Sequence, residues 1–181
     1  YGISKGENEK IAVFDFGGGT FDISILEIDG DVFEVKSTCG DTFLGGDNID
    51  KIIVDHILKI IERELELDIL GNTQAMSRIV EAAEKAKCEL SSIYSTTITL
   101  PFIGADESGP KHLDAVLERD TFEEMIAPVL DHLRHPCEQA MLNAGLHPSQ
   151  LNSVILVGGS TRIPAVRKLV SEIFGQEPDK S

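Results

Sequence analysis

The chain has 181 residues and a formal net charge of −15, with 31 acidic against 16 basic side chains. This surplus of negative charge argues against a surface for nucleic acid or anionic membrane. It does not exclude a nucleotide, whose phosphates can be held by backbone amides and a metal ion. The hydrophobic fraction of 41% predicts a soluble globular protein, and neither a bilayer-spanning run nor a signal peptide is recognised.

The first third of the chain predicts an antiparallel meander. A polar lead-in covers residues 1–10, and strands are predicted at residues 11–16, 21–29 and 32–38. In the third strand Phe33 and Val35 alternate with polar residues, which predicts that both side chains face the core. Three cysteines, Cys39, Cys88 and Cys137, are widely spaced, so we expect buried thiols in a reducing compartment rather than disulfides or a zinc site.

The turn after the first strand holds three consecutive glycines. Because glycine has no Cβ, the backbone N–H groups of Gly18, Gly19 and Thr20 can approach an anion together. Asp15 and Asp22 flank this turn, and two carboxylates beside a phosphate-sized hollow suit a hydrated Mg²⁺. The alternative is an ordinary β-hairpin whose aspartates merely favour the turn.

The middle of the chain is predicted to form helices and a β-hairpin. Apolar residues recur at three and four positions, and the predicted elements are helices at residues 49–65 and 73–92, then strands at residues 96–102 and 112–118 around a polar loop. Thr73 is the predicted N-cap of the second helix. A further helix runs from Asp120 or Thr121 to a C-terminal Gly145, and Pro128 and Pro136 each predict a kink or break in it.

The chain then repeats the pattern of an apolar strand followed by consecutive glycines. A buried strand at residues 153–157 runs into Gly158 and Gly159, and a closing helix is predicted at residues 165–174. A helix start beside glycines is a potential anion or nucleotide site, although such glycines equally allow tight strand-to-helix packing. Two glycine turns at the ends of strands in one sheet would converge on one crevice.

One side of the second helix carries polar groups at a spacing of three and four: Glu84, Lys87, Cys88 and Ser91. A solvated charged face is the simpler interpretation of this pattern. If the face bordered the crevice, it would offer carboxylate, ammonium and hydroxyl groups to a nucleoside.

Four segments together resemble the ATPase domain of the seventy-kilodalton heat-shock chaperones of the DnaK type, within the actin and hexokinase superfamily. They are residues 15–22, 40–46, 84–92 and 157–164. The resemblance implies an α/β fold in which a ribonuclease-H-like, IIA-like subdomain of residues 1–46 and 127–181 carries an inserted α+β, IIB-like subdomain of residues 47–126. Residues 108–113 resemble the mitochondrial branch, which implies the mitochondrial matrix; the cytoplasm is the alternative.

By this resemblance the chain is the second lobe of an ATPase domain. A first phosphate loop of the Asp-Leu-Gly-Thr-Thr kind, and the catalytic lysine and glutamate of the first lobe, are not found in the sequence. We therefore expect the isolated chain to be a folded monomer with little or no ATP turnover.

The site residues follow from the matching positions. Gly18, Gly19 and Thr20 would hold the β- and γ-phosphates of ATP or ADP. Asp15 and Asp22 would bind waters on Mg²⁺ and, with Thr20, form the catalytic group that places the attacking water.

Two further sets of residues would hold the nucleoside. Glu84, Lys87 and Ser91 would contact ribose and adenine, beside Cys88, which replaces the base-stacking arginine of animal cytosolic relatives. The opposite wall would be formed by Gly158, Gly159, Ser160 and Arg162.

The resemblance also implies partners. A J-domain co-chaperone would dock at the acidic cluster of the second hairpin, formed by Glu27, Asp29, Asp31 and Glu34, although a solvated turn is an equal alternative. A GrpE-type exchange factor would grip residues 47–126 and move them about a hinge at Gly45, Gly46 and residues 126–128. Unfolded clients would bind through a domain absent from this chain. The competing hypotheses are an actin-like filament subunit, half of a sugar or acetate kinase, and a protein-binding domain without nucleotide.

Overall fold

The structure, a computed structural model, describes residues 8–179. The chain separates into two compact units, one of Tyr1–Gly46 with Pro128–Ser181 and one of Asp47–Ala127. The first strand already begins at Glu9, so the predicted lead-in is too long by two residues, and its residues 1–7 lie outside the described part. The assignment of the two units as IIA-like and IIB-like subdomains stays a prediction.

Groups of strands and groups of helices follow one another along the chain. The strands are β1 (Glu9–Phe16), β2 (Phe21–Asp29), β3 (Val32–Asp41), β4 (Ser95–Asp106), β5 (Gly109–Glu118) and β6 (Ser153–Val157). The α-helices are α1 (Gly46–Ile60), α2 (Thr73–Leu90), α3 (Arg119–Asp131), α4 (Arg134–Ala144) and α5 (Pro164–Phe174). A π-helical turn at Ile61–Leu65 extends α1, and 3₁₀ turns occupy Pro148–Gln150 and Gly159–Arg162. The predicted mixed α/β class is confirmed.

A four-stranded sheet organises the first unit, in the order β3-β2-β1-β6. β1 pairs antiparallel with β2 and parallel with β6. Its core is aromatic: the ring of Phe21 lies 4.7 Å from that of Phe14 and 6.0 Å from that of Phe16, and all three side chains are fully buried. This packing fixes the ends of β1 and β2, from which the first glycine turn projects.

The prediction for β3 is wrong in one respect. Phe33 and Val35 are 62% and 61% exposed rather than buried. β3 is an edge strand of this sheet, and the α4 contact lies further along it, where the Ser37 hydroxyl donates to the carbonyl of Ala140 at 2.6 Å. Alternation along a strand identifies its two faces, but it does not show whether a second layer covers either of them.

In the second unit, α1 and α2 are found where helical periodicity predicts them. The N-cap of α2 is Asn72 and not Thr73, because the Asn72 side chain accepts a hydrogen bond from the Ala75 N–H at 3.0 Å. The β4–β5 hairpin is longer than predicted: the two strands reach Asp106 and Gly109, so most of the expected polar loop is strand.

The tip of this hairpin is held by Asp106. Its carboxylate accepts hydrogen bonds from the Ser108 N–H at 2.7 Å and the Ser108 hydroxyl at 2.6 Å, and it forms an ion pair with Lys111 at 2.9 Å. These partners, with the Ser108 hydroxyl the strongest, lower the pKa of Asp106 to about 2. The hairpin tip is therefore expected to be ordered by a charged Asp106 at neutral pH.

We expect carboxyl-detected NMR to give a pKa of about 2 for Asp106, and Ser108→Ala to raise that pKa towards the ordinary value. Because the folded-state pKa is depressed, the stabilisation is present above the unfolded-state pKa and is lost as the pH falls towards the folded-state value. Ser95→Ala, at the other end of the hairpin, is the control. An unchanged Asp106 pKa in Ser108→Ala would contradict the assigned hydrogen bonds.

The two prolines behave differently. α3 begins at Arg119, ahead of the predicted cap, and continues through Pro128 without a break, so the helix is not interrupted there. The flanking Ile126 and Leu130 are buried, and this packing offsets the missing backbone hydrogen bond.

A break does precede Pro136, which lies in the first turn of α4, where a backbone N–H has no partner within the helix. Gly145 ends α4 in a left-handed conformation, as predicted.

The cysteines only partly follow expectation. All three are free thiols, but only Cys137 is buried, while Cys88 is exposed on α2. Burial raises the pKa of the Cys137 thiol, which keeps it protonated and unreactive. Across residues 8–179, the helices are too short or too polar to cross a bilayer.

Candidate functional site

The two glycine turns lie side by side at one edge of the four-stranded sheet. β1 and β6 are parallel neighbours, and Asp15 near the end of β1 pairs with Val157 at the end of β6. The Ser160 hydroxyl donates to the carbonyl of Gly17 at 3.0 Å and so joins the two turns directly. The turns therefore meet as predicted from their positions at the ends of strands.

This close approach requires glycine at position 158. Gly158 has a φ of +94°, and a Cβ there would lie 2.3 Å from the carbonyl oxygen of Phe16 and 2.9 Å from the nitrogen of Gly17. Neither backbone atom can move aside without disturbing the end of β1. The second turn is thus packed against the first by its main chain.

A third glycine segment, at the end of the β3–α1 connection, packs on the first turn from another side. The Gly46 N–H donates to the Gly17 carbonyl at 2.9 Å. A Cβ at Gly45 would lie 2.2 Å from the carbonyl oxygen of Gly18. Two separate stretches of chain, the second turn and this third glycine segment, therefore pack on the first turn.

The outer sides of the turns are open. Gly18, Gly19 and Thr20 are exposed, and a Cβ at Gly19 or at Gly159 would meet nothing within 4 Å. The Gly17 N–H closes the turn by donating to the Thr20 carbonyl at 3.1 Å. A rigid glycine turn with an unobstructed outer side suits the approach of a phosphate group to backbone amides.

Two carboxylates stand beside this turn. Asp15 and Asp22 are direct partners across β1 and β2, so their side chains project from the same face of the sheet. Asp15 is half-buried and Asp22 is exposed. Within the described residues, no group of three or more His, Cys, Asp or Glu side chains could hold a metal ion. Two carboxylates alone fit Mg²⁺ that keeps most of its water and binds phosphate oxygens.

The second turn opens onto a cavity of about 550 Å³, whose lining includes Gly158, Gly159, Arg162 and Arg167. The closing helix is found where the sequence predicts it, one residue earlier at its start, but it does not begin directly beside the glycines. The 3₁₀ turn at Gly159–Arg162 intervenes, and α5 begins only at Pro164. Arg162 and Arg167 are the basic residues that line this cavity.

In the second unit, Lys87 on the predicted polar face of α2 forms a part-buried ion pair with Asp50 on α1. The Lys87 ammonium lies 2.7 Å from Oδ2 of Asp50, and the two side chains are only 14% and 16% exposed. Glu84 and Cys88 are exposed on the same helix, and the Ser91 hydroxyl donates to the Lys87 carbonyl at 3.3 Å. Burial raises the pKa of Asp50 although Lys87 opposes the shift.

Comparison with known proteins identifies the chain. The family model described as "Hsp70 protein" matches residues 1–181. The chain belongs to the Hsp70 family. A curated relative, the chaperone protein DnaK of Thermus thermophilus, is 52% identical over 183 residues, which cover 100% of this chain and 30% of the relative. The chain therefore spans about a third of the length of that Hsp70 protein.

Membership in the Hsp70 family agrees with the architecture. The mixed α/β structure, with its sheets and helices, has the actin-like ATPase fold of Hsp70 proteins, as the sequence predicts. Within the first unit, the structure brings the segments of the two glycine turns together: Gly18, Gly19 and Thr20 in one, and Gly158, Gly159, Ser160 and Arg162 in the other. Within the second unit, Glu84, Lys87, Cys88 and Ser91 lie on one helix.

Some site details were missed by sequence reasoning on this Hsp70 chain. Ser160 is buried and its hydroxyl is used to hold Gly17, so its side chain supports the turn. Arg167 lines the cavity, and its position just after the glycine motif could have drawn attention to it. Asp50 is also a partner of Lys87, and no signal in the sequence links the two residues.

Proposed function

We propose that the chain is the second lobe of the ATP-binding and ATP-hydrolysing domain of an Hsp70-type chaperone, and that the whole protein couples its nucleotide state to protein folding. The observation that carries this proposal is the pair of glycine turns joined by the hydrogen bond from Ser160 to Gly17, with Asp15 and Asp22 beside the first turn. The Hsp70 family and the DnaK relative support it.

In this proposal the chain positions the phosphates and the attacking water, and it supplies no nucleophile of its own. Gly18, Gly19 and Thr20 hold the β- and γ-phosphates of ATP or ADP through the backbone. Asp15 and Asp22 would hold Mg²⁺ through water and, with Thr20, would orient the attacking water. Mg²⁺, when bound, supplies positive charge that offsets the charge developing on the phosphate oxygens.

The nucleoside is assigned to the two groups of residues that the resemblance implies. Glu84, Lys87, Cys88 and Ser91 form one group, and Gly158, Gly159, Ser160 and Arg162 form the other. Cys88 offers no cation to stack on the base, so the base contact is weaker than with arginine by about 1 kcal/mol. The division into a IIA-like and a IIB-like subdomain is part of the same proposal.

Partners and location are proposed by analogy with the family. A J-domain co-chaperone would use the acidic hairpin, a GrpE-type exchange factor would use residues 47–126, and clients would bind elsewhere in the whole protein.

The mitochondrial branch and the mitochondrial matrix rest on residues 108–113 alone, and the bacterial origin of the 52% identical relative lends them no support. The actin-like filament is disfavoured because the family matched is Hsp70.

The direct test is a calorimetric titration of ADP into the chain, with Mg²⁺ and with EDTA, alone and after the first lobe of the Thermus DnaK is supplied. We expect binding that depends on Mg²⁺ and is stronger with both lobes, and no measurable ATP turnover by the chain alone. GDP serves as the control for base recognition. Absence of ADP binding in both settings would contradict the proposal, and polymerisation that depends on chain concentration would favour the filament.

A further inference from the structure

We propose that Asp50 is a positioning residue for Lys87: it fixes the Lys87 ammonium on the face of α2 that carries Glu84 and Ser91, so that a nucleoside meets a donor already in place. This inference rests on the proposed nucleotide-binding function. It assigns a role to Asp50, a residue that the sequence motifs do not include.

The geometry shows how Lys87 is held. Asp50 lies on α1 and Lys87 on α2, and the 2.7 Å contact between them joins two helices of the same unit. Of the ion pairs between described residues, this one has the least exposed side chains; the others lie at the surface. The Lys87 side chain is therefore restrained by its surroundings as well as by its partner.

Stability does not account for this pair. Removing two charges from water costs free energy that their attraction often fails to recover, so apolar residues would join the helices at least as well. The second carboxylate oxygen, Oδ1 of Asp50, is buried and has no hydrogen-bond partner, which adds a further cost. A buried polar group kept at such a cost calls for an explanation other than packing.

Orientation of the ammonium supplies that explanation. A lysine ammonium has three N–H donors, and the bond to Asp50 uses one of them, which leaves two for ligand oxygen or nitrogen acceptors. A free lysine side chain would lose conformational entropy when it bound a ligand. Here much of that loss occurs on folding, so a ligand that accepts hydrogen bonds from Lys87 binds more tightly.

The surrounding charges indicate which part of a nucleotide this face accepts. The charged groups acting on Asp50 are Lys87, Glu84 and Asp47, so carboxylates outnumber the single ammonium. Such a face repels phosphate and favours a neutral ligand with hydroxyl donors and acceptors. The free nucleoside adenosine is therefore the appropriate probe for this face, separate from the phosphate contacts of the other unit.

The test is a titration of adenosine, up to millimolar concentrations, into the 181-residue chain with NMR detection of the Lys87 side chain. We expect Asp50→Asn to raise the adenosine Kd about fivefold, because a neutral amide oxygen holds the ammonium less firmly than a carboxylate does. The ammonium resonance of Lys87 should also broaden through faster exchange with water. Asp50→Glu should restore part of the affinity. Asp55→Asn, an exposed acid on the same helix, should leave the Kd unchanged.

A double-mutant cycle separates positioning from structural support. If Asp50 acts through Lys87, Asp50→Asn should have no further effect on adenosine binding in a Lys87→Gln background. An equal loss in both backgrounds would overturn the inference, as would unchanged adenosine affinity in Asp50→Asn while the wild-type chain binds adenosine. Absence of adenosine binding by the wild-type chain would overturn this inference, whereas the proposed function fails only if Mg·ADP binding is absent both for the chain alone and with the first lobe supplied, so the two failures are distinguishable.

Discussion

Gly158→Ala is expected to destabilise the first unit by about 3 kcal/mol or more, which is a large part of the stability of a small domain. Two causes add together. The φ of +94° strains any residue with a Cβ, and that Cβ would lie 2.3 Å from the Phe16 carbonyl oxygen. Strained backbone costs about 1–3 kcal/mol and overpacking a similar amount. Urea unfolding followed by circular dichroism would measure the loss as a lower midpoint.

Gly159→Ala is the matched control, one residue further along. A Cβ at Gly159 meets nothing within 4 Å, and its φ is not in the left-handed region. We expect this substitution to change the free energy of unfolding by less than about 1 kcal/mol. Equal destabilisation by the two alanines would show that the second turn does not pack on the first through Gly158.

Asp15→Asn is expected to weaken binding of ADP in the presence of Mg²⁺ by about ten- to a hundredfold, the range for loss of one hydrogen bond to a charged group. Asparagine keeps the shape of the side chain but removes the charge that attracts metal-bound water. In EDTA the same variant should bind ADP as the wild-type chain does. Calorimetry with both lobes present gives the two affinities.

Asp29→Asn controls for the loss of one negative charge. Asp29 lies on the same strand as Asp22 but at the opposite end of β2, where it pairs with Val32, so its replacement should leave the metal-dependent affinity unchanged. If Asp15→Asn weakened binding equally with and without Mg²⁺, Asp15 would act on the nucleotide or the fold rather than on the metal.

Local patterns in the sequence predicted the elements that form the site. β6 spans Ser153–Val157 as predicted, because a short apolar run that ends at paired glycines is typical of a buried strand. The first glycine turn lies between β1 and β2 for the same reason. The meeting of the two turns followed from the rule that neighbouring parallel strands end at the same edge of a sheet.

What could not be predicted depends on contacts between residues distant in sequence. The exposure of Phe33 and Val35 is decided by where α4 ends its contact with β3. The pairing of Asp50 with Lys87 joins residues 37 positions apart, and the bond from Ser160 to Gly17 joins residues 143 positions apart. Side-chain spacing within one helix or strand carries no information on either contact.

The carbonyl oxygen of Gly17 has two lone pairs, and both are engaged: one by the Gly46 N–H and one by the Ser160 hydroxyl. Rotation of this single peptide group would break both bonds together, so the first turn cannot be displaced on one side only. A tilt of this peptide group would therefore weaken its contacts with Gly46 and with Ser160 together. The carbonyl oxygen of Gly17 thus connects three segments of the chain: the first glycine turn, the start of α1 and the segment after β6.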